Sequence, residues 1–292
     1  RPYTDRYGNL HYYGNYINNG ENPKEGCWKN FLTEYAFNYA KERVNPENKK
    51  PYETIESDRL FNNLLSSQPM AFNLFCPLRQ MREESPETAT KVIKAALPGY
   101  PIHIVTEVEL EFIPENHMEL TGDKSAMDAI IRFEDEQGKK GFIAIETKYS
   151  ENLGTNVAYD RDDNGKNIPR AKSIEAVKEL KCFNADEEQS IIKGDTPLTQ
   201  IYRNFLLSEM YGHKEGLLSY SIILAPQKHP TTKKELESLT NVLRNEYKDK
   251  IKQVYLEDFV NAIINNSPTE YRVVFERFYD RYLNFEKLNN FD

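Results

Sequence analysis

The hydrophobic pattern changes its period once along the chain, close to residue 100. Ahead of that point, apolar residues recur at helical spacing. Trp28, Leu32, Tyr35, Ala36 and Tyr39 form one stripe and predict a helix from about Cys27 to Val44. A polar break, Asn45–Pro51, separates it from a second predicted helix over Ile55–Leu65. A short apolar piece follows, Pro69–Phe75, in which Asn73 must find partners if it is buried. We read the stretch around it as structural, with the wall of a cleft as its other use. Ser85-Pro86-Glu87 marks a helix start with Pro in the first turn, and that helix runs to Leu97, before Pro98 and Gly99. Residues 1–26, rich in Tyr, Asn and Gly, read as a loop-rich arm.

Beyond residue 100 the period becomes two. Ile102, Ile104, Thr106, Val108, Leu110 and Phe112 alternate with their neighbours, which predicts a strand over about 102–113. Strands over 125–134 and 140–149 follow, joined by a turn at Asp135–Lys139 that contains Gly138. Helices are predicted over Pro169–Phe183 and Pro197–Tyr211, then a strand over Leu217–Leu224. A helix capped by Thr231 or Thr232 runs to Tyr247, a short strand covers Ile251–Leu256, and helices cover Glu257–Ile264 and Ser267–Phe285. The expected organisation is an N-terminal arm and helical addition, 1–84, packed on an α/β core with C-terminal helices, 85–292.

At 292 residues with 39% hydrophobic content, the chain can fill a substantial core. No apolar run approaches the roughly 18–20 residues that span a membrane, so no membrane partner is expected. Cys27, Cys76 and Cys182 lie far apart with no metal-binding spacing, and read as reduced thiols of a cytoplasmic protein. The chain opens on Arg1, so a leader ahead of it is not excluded. There is no HExxH, GxSxG, GxxxxGK[ST] or GxGxxG motif, which leaves nothing for zinc proteases, serine hydrolases or nucleotide binding.

The chemistry concentrates in GFIAIETKYSE, residues 141–151, where an apolar strand ends in Glu146, Thr147 and Lys148. A turn centred on Gln137 sets Asp128 opposite Glu146. Residues two apart on a strand share a face, so Asp128, Glu146 and Lys148 project together, with Ala126, Ile130 and Ala144. Met127, Ala129, Ile131, Ile143 and Ile145 then face the other side, and a slip of one residue would reverse the arrangement. Two carboxylates that close repel unless a cation lies between them. Mg²⁺ suits such a site, because it takes oxygen ligands and keeps waters for a phosphate substrate. The Thr147 carbonyl is a further candidate ligand, and Lys148 is placed to orient a water and offset charge on a phosphoryl group.

Asp128 followed by Glu146-Thr147-Lys148 on the next strand resembles the PD-(D/E)xK nuclease superfamily. The order of helix, three-strand meander, helices and strand matches over roughly residues 85–225. The resemblance implies a restriction endonuclease-like α/β fold and a metal-dependent phosphodiesterase acting on DNA, with Mg²⁺ replaceable by Mn²⁺, in bacterial defence or DNA processing. Asp128 and Glu146 would hold the metal and Lys148 would position the water. Met127 stands where the superfamily's nominal Pro would be. Members also carry an upstream Glu; Glu34 is preferred here for its place inside an apolar helix, with Glu87 and Glu111 as alternatives. Some members have Gln-x-x-x-Tyr on the helix after the ExK strand. Here Gln200 is followed at the fourth position by Asn204, so only Gln200 carries over, as a water or phosphate contact.

Charge qualifies this reading. The chain carries 38 basic against 46 acidic residues, a net −8, which argues mildly against a polyanion partner. Basic residues do gather, as Arg161, Lys166, Arg170, Lys172, Lys178 and Lys181, as Lys228, Lys233 and Lys234, and as Arg203 and Lys214. The alternative to a nuclease is a catalytically silent module of the same fold that binds nucleic acid or a protein. A plainer alternative is a surface salt bridge, which explains the charges but not two carboxylates on one face. Glu107, Glu109 and Glu111 read as a solvated face, with Glu111 the one most suited to join the site. Cutting both strands of a duplex takes two active sites, hence the expectation of a homodimer.

Overall fold

The computed structural model describes residues 2–4, 7–12, 14–17, 28–48, 54–153, 159–161 and 167–286. The strands are β1 (Pro2–Thr4), β2 (Leu10–Tyr12), β3 (Ile104–Phe112), β4 (Met127–Glu134), β5 (Lys140–Thr147), β6 (Tyr159–Arg161), β7 (Asn167–Pro169), β8 (Leu218–Ala225) and β9 (Ile251–Tyr255). The helices that frame the sheet are α1 (Glu34–Val44), α2 (Ser57–Asn62), α3 (Ser67–Glu84), α4 (Pro86–Ala96), α6 (Ala171–Leu180), α7 (Ala185–Lys193), α8 (Gln200–Glu215), α9 (Thr232–Val242), α11 (Leu256–Asn266) and α12 (Thr269–Tyr282). Two four-residue helices, α5 (His117–Leu120) and α10 (Asn245–Lys248), sit in the connections.

Five strands form the central sheet in the order β3-β4-β5-β8-β9, with β1-β2 and β6-β7 as separate hairpins. The meander β3-β4-β5 is antiparallel, whereas β5, β8 and β9 run parallel. Parallel neighbours need a crossover, and the helices between β5 and β8 and between β8 and β9 supply it. The turn at Asp135 sets the meander's register. Its Oδ1 accepts from the amides of Gln137 at 2.9 Å and Lys139 at 2.8 Å, and Gly138 takes a φ of +74° that a side chain would strain. Ala129 therefore faces Ile145 and Ile130 faces Ala144, the register expected from the sequence.

Each face of the sheet is buried under helices. Val108, Leu110, Ala129, Ile131, Ile143 and Ile145 pack into one core with α1, α3, α4, α11 and α12. Phe112, Met127, Ile130, Phe142 and Ala144 pack into a second core with α6 and α8. Met127 thus lies on the face of Ile130 and not, as expected, with Ala129. The reason is local. Glu111 has a φ of +50°, which breaks the period-two alternation in β3, and Met127, paired with Phe112, follows it onto the second face.

The largest departure from the sequence reading is α3. The expected short apolar piece Pro69–Phe75 lies inside an 18-residue helix that is buried at every one of its first twelve positions. A helix buried on all sides has no polar stripe, so it shows no helical period. Pro77 within it further disguises the pattern. Helix α7 was likewise not expected. The expected helix from Cys27 begins at Glu34, where the Thr33 hydroxyl caps it by accepting from Ala36 N at 3.1 Å; Trp28 lies in a short 3₁₀ turn and is 64% exposed, and Cys27 lies outside the described residues. The helix expected to reach Tyr247 breaks after Val242. There the chain turns extended to bond Phe183 and its neighbours, with Asn184 N donating to Val242 O at 2.8 Å and Arg244 N to Cys182 O at 2.8 Å. The loop-rich arm contains the β1-β2 hairpin.

Asn73 ties the N-terminal helices to the C-terminal one. Its Nδ2 donates to Asn30 O at 2.8 Å and contacts the Tyr282 hydroxyl at 2.9 Å, and its Oδ1 accepts from Leu32 N at 2.7 Å. Truncation would leave the buried Tyr282 hydroxyl and the half-buried Leu32 N–H without this partner, while Asn30 O would keep Arg281 Nη1 at 3.2 Å. Asn73→Ala is expected to lower unfolding stability by about 3 kcal/mol, read from urea denaturation, with an unchanged m-value.

Candidate active site

The charged end of β5 opens into a cleft of ≈ 350 Å³ whose walls come from four parts of the chain. The sheet supplies Glu111, Asp128, Glu146 and Lys148; the N-terminal helices supply Arg59, Ser67 and Gln68; the loop ahead of β4 supplies Asp123 and Lys124; α8 supplies Gln200 and Arg203. Glu146 is next to last in β5, and Asp128 is second in β4, one step beyond the Ala129–Ile145 pair. Asp128 and Glu146 therefore stand together at the rim because the hairpin register puts them there. Lys148 follows directly, its amide donating to Leu224 O of β8 at 2.9 Å.

Glu146 is held by three donors. Lys148 Nζ lies 2.6 Å from Oε1, Gln200 Nε2 donates to Oε1 at 2.7 Å, and Asn204 Nδ2 donates to Oε2 at 2.7 Å. Gln200 and Asn204 are four residues apart at the start of α8, so they share a helix face and clamp the two oxygens from one side. Gln200 thus meets the metal-ligand candidate itself. Sequence reasoning missed Asn204, because the expected partner at that position was a Tyr. The signal was present as the i, i+4 spacing of two amides. Burial pushes the Glu146 carboxyl up to about 7; Lys148 opposes that push and Asp128 adds to it. Burial pulls the Lys148 ammonium down, but Glu146 and Asp128 outweigh it and hold the group above its ordinary value.

Asp128 is held from one side only. Its Oδ2 accepts from the Thr147 amide and from the Thr147 hydroxyl, each at 2.7 Å. Its Oδ1 has no donor among the described residues. Burial raises the Asp128 carboxyl above its ordinary value, with Lys148 and the Thr147 donors opposing and Glu151 adding to the rise. Thr147 acts visibly through its N–H and hydroxyl.

Glu111 joins this group from β3. It is 5% exposed, its Oε1 accepts from Gln68 Nε2 at 2.8 Å, and its Oε2 lies 3.4 Å from Thr54 Oγ1. A left-handed backbone at a Glu costs roughly 1 kcal/mol. Arg43 offsets that cost by bonding the carbonyls on either side of the strained bond, Nη1 to Leu110 O at 2.6 Å and Nη2 to Glu111 O at 3.2 Å. Burial, then the neighbouring Asp128 charge, raises the Glu111 carboxyl. The strand is bent so that Glu111 points in beside Asp128, not outward with Glu107.

A fourth acid comes from the segment after Lys148. Glu151 Oε1 accepts from Ser67 N at the head of α3 at 2.9 Å, while its Oε2 is buried with no partner. His229 Nε2 fixes that segment by donating to Glu151 O at 3.0 Å.

Other expected residues lie elsewhere. Glu34 is exposed at the first position of α1 and does not line the cleft. It stands about 13 Å along the helix from Arg43, the residue of α1 that reaches the site. Glu87 is exposed in the first turn of α4. Of the basic residues, Arg170 donates to Gly122 O, Lys172 pairs with Glu175, and Lys214 pairs with Glu179. The Arg161 side chain and Lys166 lie outside the described residues. Arg203 reaches the cleft and pairs with Asp123 at 3.0 Å.

The donor set fits a hard divalent cation. It consists of carboxylates raised by burial and mutual repulsion, with Asp128 Oδ1 lacking a donor and Glu151 Oε2 orphaned in the interior. Among the described residues no three His, Cys, Asp or Glu side chains are grouped so as to hold a metal ion between them, so waters or substrate would have to supply most of any coordination.

The Thr147 hydroxyl is a direct probe of Asp128. Thr147→Val keeps the amide donor and removes the hydroxyl donor. It is expected to cost about 1–2 kcal/mol in urea denaturation at neutral pH. The loss should shrink as pH falls through the Asp128 titration, because the lost bond favours the carboxylate over the neutral acid.

A family model described as PD-(D/E)XK nuclease superfamily matches residues 3–284. No curated protein and no solved structure matches the chain. No helix among the described residues is long and apolar enough to cross a membrane. The superfamily's nucleases generally use divalent metals and act on nucleic acids, in keeping with the acids and cations of this cleft. With its match over nearly the whole length and its α/β sheet carrying Asp128 and Glu146-Thr147-Lys148 at one rim, the chain belongs to the PD-(D/E)XK nuclease superfamily.

Proposed function

We propose that the protein is a Mg²⁺-dependent nuclease that hydrolyses phosphodiester bonds of DNA, in bacterial defence or DNA processing. The observation that carries this reading is Lys148 Nζ held 2.6 Å from Glu146 Oε1 at the rim that also presents Asp128. Asp128 and Glu146 would hold the ion, with the Thr147 carbonyl as a further ligand and Mn²⁺ as a substitute. When bound, a divalent ion supplies Lewis-acid polarisation of the phosphodiester and of the attacking water. Lys148 orients that water and offsets the charge that builds on the phosphoryl oxygens. Gln200 and Asn204 hold Glu146 in one rotamer. Glu111, and not Glu34, takes the part of the upstream acid, beside Asp128. The free, buried Cys76 and Cys182 support a cytoplasmic setting. Cutting both strands of a duplex would call for two copies of the site and therefore a homodimer.

One observation favours a silent module instead. Both Glu146 oxygens already accept from protein donors, so the ion would have to compete with Lys148, Gln200 and Asn204.

Cleavage of linear and circular plasmid DNA with Mg²⁺ or Mn²⁺, beside EDTA, separates the two readings. The nuclease reading expects metal-dependent cutting that falls at least about 100-fold in Lys148→Ala. It also expects Mn²⁺ binding by calorimetry that is lost in Asp128→Ala. No cutting with either metal, together with no heat of Mn²⁺ binding, would leave the silent module. Cutting of the circular form would show that no DNA end is needed.

A further inference from the structure

Some of the charged groups in the cleft are paired with each other. Lys148 pairs with Glu146, and Arg203 pairs with Asp123. Two cations that line the same cleft are not. Arg59, on α2, makes no side-chain hydrogen bond or ion pair among the described residues, and its Nε is buried without a partner. Lys124, exposed in the loop ahead of β4, also has no partner among those residues. Within the cleft the Glu111 carboxyl feels the Arg59 charge. Yet the Glu111 oxygens are taken up by Gln68 at 2.8 Å and Thr54 at 3.4 Å, and no contact within salt-bridge distance joins the two residues.

A guanidinium presents five donors in a flat fork, and a buried N–H left unmade is costly. Such a group persists where an anion completes it. The cleft also poses an electrostatic problem. A polyanionic strand would have to approach Glu111, Asp128, Glu146 and Glu151 in a protein of net charge −8. A divalent ion offsets part of that repulsion, and local unpaired cations must offset the rest.

We propose that Arg59 and Lys124 form a phosphate subsite that takes the backbone of a nucleic-acid strand next to the bond to be cut. The Arg59 fork meets two oxygens of one phosphate, and Lys124 supplies a point charge to the same run of backbone. The N-terminal helices thereby become part of the substrate-binding wall, since α2 precedes the sheet by some forty residues and still lines the cleft. The identity of the anion rests on the nuclease reading; the unpaired cations do not.

Binding of a fluorescently labelled DNA duplex, followed by anisotropy across a salt series in EDTA and again in Ca²⁺, tests the subsite apart from catalysis. Arg59→Gln and Lys124→Gln are each expected to weaken binding about tenfold and to lower the slope of log Kd against log salt by about one. Arg59→Lys should keep the slope and lose part of the affinity, because it keeps the charge and loses the fork. Wild-type affinity and slope in both Gln variants would overturn the subsite while leaving the nuclease reading intact. A lower melting temperature in Arg59→Gln with an unchanged slope would also overturn it, by showing that Arg59 only balances Glu111. Lys124→Gln, at an exposed position, decides the matter if Arg59→Gln folds poorly. No DNA binding by the wild type, alongside no cutting, would remove both proposals together.

Discussion

Several carboxylates facing one buried cleft is the constraint around which this molecule is built. Glu111, Asp128 and Glu146 are each raised by burial, and the charge of Asp128 adds to the rise at the other two. Left alone, such a group would protonate or spread apart. The surrounding elements oppose both. Lys148 supplies the one ammonium in direct contact with Glu146, α8 supplies two amides to it, Thr147 supplies two donors to Asp128, and α3 supplies Gln68 to Glu111. What the protein does not satisfy is equally specific. Among the described residues Asp128 Oδ1, Glu151 Oε2 and Arg59 Nε have no hydrogen-bond partner.

The helices ahead of the sheet serve the same requirement. Residues from Phe31 to Leu283 share one hydrophobic core with the first face of the sheet. Helix α3 runs through that core. Its head bonds Glu151 through Ser67 and Glu111 through Gln68, and its middle bonds the 3₁₀ turn and α12 through Asn73. A helix placed so centrally can orient an acid on β3 and an acid in the segment after β5 at once. Arg43 of α1 adds the remaining restraint by holding the left-handed bend at Glu111.

The meander was readable because two local signals agree there. A glycine-containing turn and a period-two run on each side leave one register that buries the apolar face, and that register alone puts Asp128 beside Glu146. The same logic failed at Met127, because a left-handed residue in the neighbouring strand shifts the alternation, and nothing in a lone Glu announces that backbone. Helix α3 was unreadable for the opposite reason, being buried on so many sides that its pattern has no contrast. The choice of Glu34 followed helix amphipathicity, which says where a helix packs but not how far along it the site lies.

The sequence by itself determined the succession of the five central strands along the chain, the hairpin register and the Asp128, Glu146 and Lys148 trio, since each depends on residues close in the chain and on strict periodicity. Only the tertiary structure decided the rest. The clamp of Gln200 and Asn204 on Glu146, the inward turn of Glu111 and the arrival of Arg59 and Gln68 at the cleft each join residues tens of positions apart. Contacts of that range are set by how buried surfaces fill space together, and no local pattern encodes them.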